Sequence, residues 1–108
     1  MRGKFFKIFK MLGFVEIIKI PGKSFDDLSP YEIGLMIDAF VYDEDKYFDP
    51  MALGEFLNYK INNDKVRIIR DEIKSGIYRF SADAGRTHWD ENFLKEISES
   101  LKSRSDDS

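Results

Sequence analysis

"DPMALGEFLNYKINNDKVRIIRDEIKSG", residues 49–76, decides the fold. Asp49 is suited to cap a helix and Pro50 to open one, because proline lacks the N–H that a first helical residue leaves unpaired. Leu53, Phe56 and Leu57 then share one apolar face, and Asn58 is a stop signal. Asn62, Asn63 and Asp64 offer new caps, after which Val66, Ile69 and Ile73 recur at helical spacing. Gly76 is placed to terminate this helix in the left-handed conformation. The stretch therefore predicts two short helices joined by a turn of five or six residues.

Upstream, "SPYE" (residues 29–32) combines a hydroxyl at the N-cap, proline at the first helical position and glutamate three residues after the serine. That spacing lets side chains satisfy two orphan backbone N–H groups reciprocally. Ile33, Met36, Ile37, Phe40 and Val41 follow as a buried stripe, and the helix gives out in "YDEDK". Tyr47 and Phe48 suit a short strand. Further back, "FVEIIKIP" (residues 14–21) favours a β-branched strand stopped at Pro21. Residues 2–12 place Phe5, Ile8, Phe9 and Leu12 on one side of an amphipathic helix ended by Gly13.

Downstream of Gly76 the period changes to two. "IYRFSADAGRTHW" (residues 77–89) reads as a hairpin turning at "SADAG". "WDENFLKEISESLK" (residues 89–102) reads as a capped helix with Phe93, Leu94, Ile97 and Leu101 inward, either closing the core or pairing with a second copy. Residues 103–108, "SRSDDS", carry no apolar side chain and are expected to form a disordered tail.

The fold class expected is α+β. A length of 108 residues with 43% hydrophobic content supports one modest core. The organisation expected is a basic amino-terminal helix over residues 1–13, one domain over 14–102, and the tail. With no cysteine, disulfides and thiolate metal sites are excluded, and a cytoplasmic location is the expectation. Lysines at 4, 7 and 10 interrupt the first apolar run, so it reads neither as a secretory signal nor as a membrane span. Net charge is −3, yet residues 1–23 hold six cations against Glu16 alone, leaving +5 there and −8 over the remainder.

No catalytic motif and no need for a cofactor emerges. His88 in "RTHWD" is the only histidine and reads as structural at a strand-to-helix joint. Asp43, Asp45 and Asp49 alternate as calcium ligands do, but Phe48 falls where the loop needs glycine and Gly54 where it needs glutamate. "GKS" at 22–24 lacks the upstream glycine of a phosphate loop.

The order strand, helix, short strand, helix, turn, helix, hairpin, helix resembles a winged helix-turn-helix. Residues 18–80, from "KIPGKSFDDLSPYE" to "DEIKSGIYRF", are similar to the winged-helix domains of phage and plasmid replication initiators. Those domains have an isoleucine-proline strand, a capped first helix, an aromatic-proline step and a third helix ending on glycine. The resemblance implies a small protein that binds double-stranded DNA in replication or transcription control, with the third helix as reader and the hairpin as wing. This chain departs from the pattern at "INNDK", where the family tends to place a small or hydroxylated residue, and in having its glycine three residues after Ile73 instead of four.

With Val66, Ile69 and Ile73 inward, about 100 degrees per residue turns Asp64, Arg67, Ile68 and Asp71 outward, with Lys74 at their edge and Arg70 nearer the core. Arginine and asparagine can read base edges while lysine neutralises phosphates. The candidate DNA contacts are therefore Lys60, Asn63, Lys65, Arg67, Arg70 and Lys74, joined by Arg79 and Arg86 of the hairpin. Against them stand Asp64, Asp71 and Glu72, so residues 60–74 carry only +2. The alternative is a protein-interaction module for a host or phage protein, or for a second copy. In that reading an outward Ile68 and the stripe Phe5, Ile8, Phe9 and Leu12 make the contact.

Overall fold

The computed structural model describes residues 17–83 and 85–104. The amino-terminal stripe of Phe5, Ile8, Phe9 and Leu12, and the tail beyond Arg104, lie outside them.

The first helix, α1 (Pro30–Val41), starts where its cap dictates. Ser29 Oγ accepts from the Glu32 N–H at 3.2 Å, and the Glu32 carboxylate accepts from the Ser29 N–H at 2.9 Å. Ser29→Ala removes half of this exchange and is expected to cost about 1 kcal/mol of stability, read from urea unfolding; an unchanged midpoint would contradict the capping role. Ile33, Met36 and Ile37 are buried as expected, and Phe40 and Val41 are half-buried at the rim of the core.

The same glutamate makes stability depend on pH. Partial burial of Glu32 by itself raises its carboxyl, but the Ser29 N–H and the Lys23 ammonium 3.1 Å away outweigh it and hold the group below its ordinary value of 4.5. A folded-state pKa depressed in this way contributes stability that is present above 4.5 and lost as the pH falls through the folded value. Glu32→Gln is therefore expected to shrink the drop in urea midpoint between pH 6 and pH 3, which bracket that value. An identical drop in both proteins would show that Glu32 does not contribute.

The predicted strand over residues 14–21 is reduced, within the described residues, to a single antiparallel bridge between Ile18 and Phe48. It is held by the Lys19 N–H on the Tyr47 carbonyl at 2.8 Å and the Asp49 N–H on the Ile17 carbonyl at 3.0 Å. Pro21 cannot donate to a ladder, and Gly22 turns the chain at φ +74°, so pairing stops there. Phe48 nonetheless enters the core without exposed surface. A 3-10 turn over Phe25–Asp27, not anticipated from the sequence, follows, with the Asp27 carboxylate taking both the Ser24 N–H at 3.0 Å and its hydroxyl at 2.9 Å.

Helix α2 spans Ala52–Asn58, so Pro50 does not open it, contrary to the sequence reading. Asp49 instead closes a turn: its carboxylate accepts from the Met51 N–H and its carbonyl from the Ala52 N–H, each at 2.8 Å. Leu53, Phe56 and Leu57 face the core as expected.

Helix α3 spans Asp64–Gly76 with Asn63 as its N-cap, the Asn63 side chain accepting from the N–H groups of Lys65 at 2.9 Å and Val66 at 3.4 Å. Val66, Ile69 and Ile73 are buried. Gly76 does not take the left-handed conformation. The helix passes into Ile77, itself right-handed at φ −76° and ψ −26°, and the positive-φ glycines described are Gly22 and Gly85. The reason for glycine at 76 is packing: a Cβ there would lie 2.5 Å from the ring of Phe93.

Strands β1 (Tyr78–Ser81) and β2 (Arg86–Trp89) form the expected hairpin, with Tyr78 opposite Trp89 and Ser81 opposite Arg86. Gly85 at φ +66° completes its turn. Asp90 then caps α4 (Glu91–Arg104), its carboxylate accepting from the N–H groups of Asn92 and Phe93. The helix runs through Ser103 and Arg104, two residues past the expected start of the tail, where Arg104 meets Glu72 of α3 at 3.1 and 3.2 Å.

Helices α1 and α4 make the main interface of the fold. Leu94, Ile97 and Leu101 are buried against it, so the α4 stripe closes this chain's own core. Between the two helices the Asp38 carboxylate takes the Lys102 ammonium at 2.7 Å and lies 2.6 Å from the buried Ser98 hydroxyl. The helices approach closely at Gly34, where a Cβ would come within 2.7 Å of Lys102. The described residues thus form an α+β fold of four helices and one two-stranded antiparallel sheet.

Candidate nucleic-acid interface

The position of α3 is set from a distance. Asp26, in the 3-10 turn, accepts through its carboxylate from the N–H groups of Asn62 at 2.8 Å and Asn63 at 3.2 Å, and through its carbonyl from the Asn63 side-chain amide at 3.1 Å. Phe25 beside it stacks edgewise on Phe56 at 5.5 Å and on Tyr59 at 4.9 Å. The turn between α2 and α3 is thereby tied to the body at both backbone and ring level.

Two of the sequence-selected residues serve this scaffold. The Asn63 side chain is occupied on both sides, capping α3 with its oxygen and bonding Asp26 with its nitrogen. Arg70 donates to the Tyr59 carbonyl at 2.8 Å and to Asp71 at 2.7 Å, with only 15% of its side chain exposed.

The outer face of α3 presents Lys65, Ile68 and Lys74 as exposed side chains, with Arg67 half-exposed beside them. Its acids are each matched. Arg67 meets Asp64 at 2.7 Å, Arg70 meets Asp71, and Arg104 meets Glu72 through two nitrogens. Lys60, in the preceding turn, Lys65 and Lys74 make no ion pair with another described residue. The Arg67–Asp64 pair is one turn apart on an exposed surface, where such a pair is worth at most about 1 kcal/mol and is easily exchanged for a stronger anion.

On the hairpin, Arg79 approaches the His88 ring at 3.3 Å on one side of the ribbon. Alternation puts Tyr78 and Phe80 on the other, 54% and 65% exposed. Arg86 sits at the turn end of β2, opposite Ser81. Ile68 is 64% exposed. Among the described side chains, Lys60, Lys65, Arg67, Lys74 and Arg79 are sequence-selected cations whose charged heads are not consumed in holding the fold.

Asp26 and Arg104 were not found by sequence reasoning. The first acts across 36 residues and the second across 32, and neither span leaves a periodic signal. Among the described residues no group of three or more histidine, cysteine or acidic side chains is placed to hold a metal ion. No helix of the described residues is long and apolar enough to cross a membrane. The chain matches no family model, no curated protein and no solved structure.

Proposed function

We propose that this chain is a small DNA-binding protein of the winged helix-turn-helix kind, acting in the cytoplasm in replication or transcription control as the phage and plasmid initiators it resembles do. In this reading α3 enters the major groove and the β1–β2 hairpin lies beside the phosphate backbone as the wing. The observation that carries it is the outer face of α3. Each of its acids is matched by an arginine, while Lys60, Lys65 and Lys74 are left to engage phosphate and Arg67 is poised over an exchangeable partner. Such a cation set gives modest, salt-sensitive affinity per copy and relies on few base contacts.

A second reading rests on one specific observation. Ile68, Tyr78 and Phe80 are all more than half exposed, and apolar side chains on a charged surface are a feature of protein contacts. In that case the same helix face docks on a partner protein. The two readings separate in one assay. Retardation of a duplex that weakens with added salt supports the first, and a concentration-dependent mass with no retardation of DNA supports the second.

A further inference from the structure

The two faces of the β1–β2 ribbon differ. Register and strand alternation put Tyr78, Phe80, Thr87 and Trp89 on one of them and Arg79 and His88 on the other. Trp89 packs on Phe40 at 4.8 Å, so that corner of the aromatic face is anchored at the rim of the core. Tyr78 and Phe80, on the facing strand, leave 54% and 65% of their surface exposed. We propose that these two rings stack on unpaired bases, so that the preferred ligand is duplex DNA adjoining a single-stranded segment. This rests on the DNA reading above and deepens it by naming the form of DNA bound.

Spacing is the first argument for a base. Residues two apart on a strand are separated by about 6.8 Å, twice the roughly 3.4 Å between successive bases of B-DNA. A single base therefore fits between the two rings with a stacking contact on each of its faces. Such stacking tolerates any sequence, because every base has a π-face. Bases inside a duplex are already stacked on their neighbours, so unpaired ones are those with both faces to offer.

Charge is the second, and it favours a nucleic acid over an apolar protein surface. Residues 74–89 hold Lys74, Arg79 and Arg86 against Asp83 alone, in a chain whose net charge is −3. Lys74 lies in the last turn of α3, four residues before Tyr78, and makes no ion pair with another described residue. Rings set among cations are the combination that holds a single strand, the rings taking bases and the cations the phosphates between them. With α3 on the duplex, the ribbon meets the strand where pairing ends.

Fluorescence anisotropy with two probes, a blunt duplex and the same duplex extended by a single-stranded run of thymines, tests this on the full chain. The extension adds phosphates as well as bases, so Tyr78→Ala together with Phe80→Ala, which changes no charge, isolates the stacking. The double variant is expected to lose at least about fivefold in affinity for the extended probe and to bind the blunt probe as the wild type does. Phe80→Trp should keep the wild-type preference, whereas Phe80→Leu, apolar but without a π-face, should not. Both rings are more than half exposed, so thermal unfolding should change little. Equal affinity of the wild type for the two probes, loss on both probes alike, or full preference in Phe80→Leu would overturn the proposal. So would a drop in self-association of the double variant with DNA binding unchanged, which would assign the rings to a protein contact. The blunt probe checks the underlying DNA reading on its own. If it binds and the rings make no difference, stacking alone fails; if neither probe binds, both fail.

Discussion

Reversing two charges, Arg67→Glu together with Lys74→Glu, is expected to abolish binding to duplex DNA while leaving the folded state almost as stable as before. Each phosphate no longer neutralised takes about 0.9 off the logarithmic salt slope, and each new carboxylate adds repulsion at the same surface. From the five cations named among the described side chains the double variant leaves three and adds two acids, so the outer face of α3 changes sign. The fold is spared because neither side chain is built into it. Arg67 contributes one exposed pair to Asp64, and Lys74 pairs with no described residue. The carboxylate that replaces the Lys74 ammonium sits in the last turn of α3, where an acid opposes the helix dipole by about 0.3–1 kcal/mol, which bounds the main loss of stability. Anisotropy of a labelled duplex and thermal unfolding, measured side by side, check both halves. Binding retained by the variant would move the interface off α3.

The second large effect tests which way α3 faces. Ile73→Ala is expected to cost about 2–5 kcal/mol, since its side chain has no exposed surface and truncation leaves a cavity as well as losing transfer energy. Ile68→Ala, five residues earlier on the same helix and 64% exposed, should change stability by no more than about 0.5 kcal/mol. Alanine also has the better helix propensity, so a small gain is compatible with that position. Chemical denaturation of the two variants gives the contrast directly. Similar costs at both sites would mean that Ile68 is buried and that Arg67 is not on the presented face.

Local chemistry is what the sequence carried well. The Ser29–Glu32 exchange, the Asn63 cap, the stripe of Val66, Ile69 and Ile73 and the alternating hairpin all act within a few residues, so their spacing is visible in one dimension. Long-range use of a side chain leaves no such trace. Asn63 and Arg70 resemble DNA contacts in type, yet their hydrogen bonds go to Asp26 and to the Tyr59 carbonyl. Gly76 sits where a helix terminator belongs, and its reason is the Phe93 ring brought against it by α4. Pro50 and Asp49 have the composition of a helix start, but the Asp49 side chain closes a turn and defers the helix to Ala52. The acids of α3 read as a net cost to anion binding until Arg104, at the far end of α4, is seen against Glu72.

In the proposed function the outer face of α3 and the adjoining hairpin engage the phosphate backbone of DNA. The most direct test is the salt dependence of wild-type binding to a mixed-sequence duplex, followed by fluorescence anisotropy. With Lys60, Lys65, Arg67, Lys74 and Arg79 in contact, the logarithm of the association constant should fall linearly with the logarithm of salt concentration, with a slope of about −3 to −5 per bound chain. No binding at low salt, or binding that does not weaken as salt rises, would contradict the account.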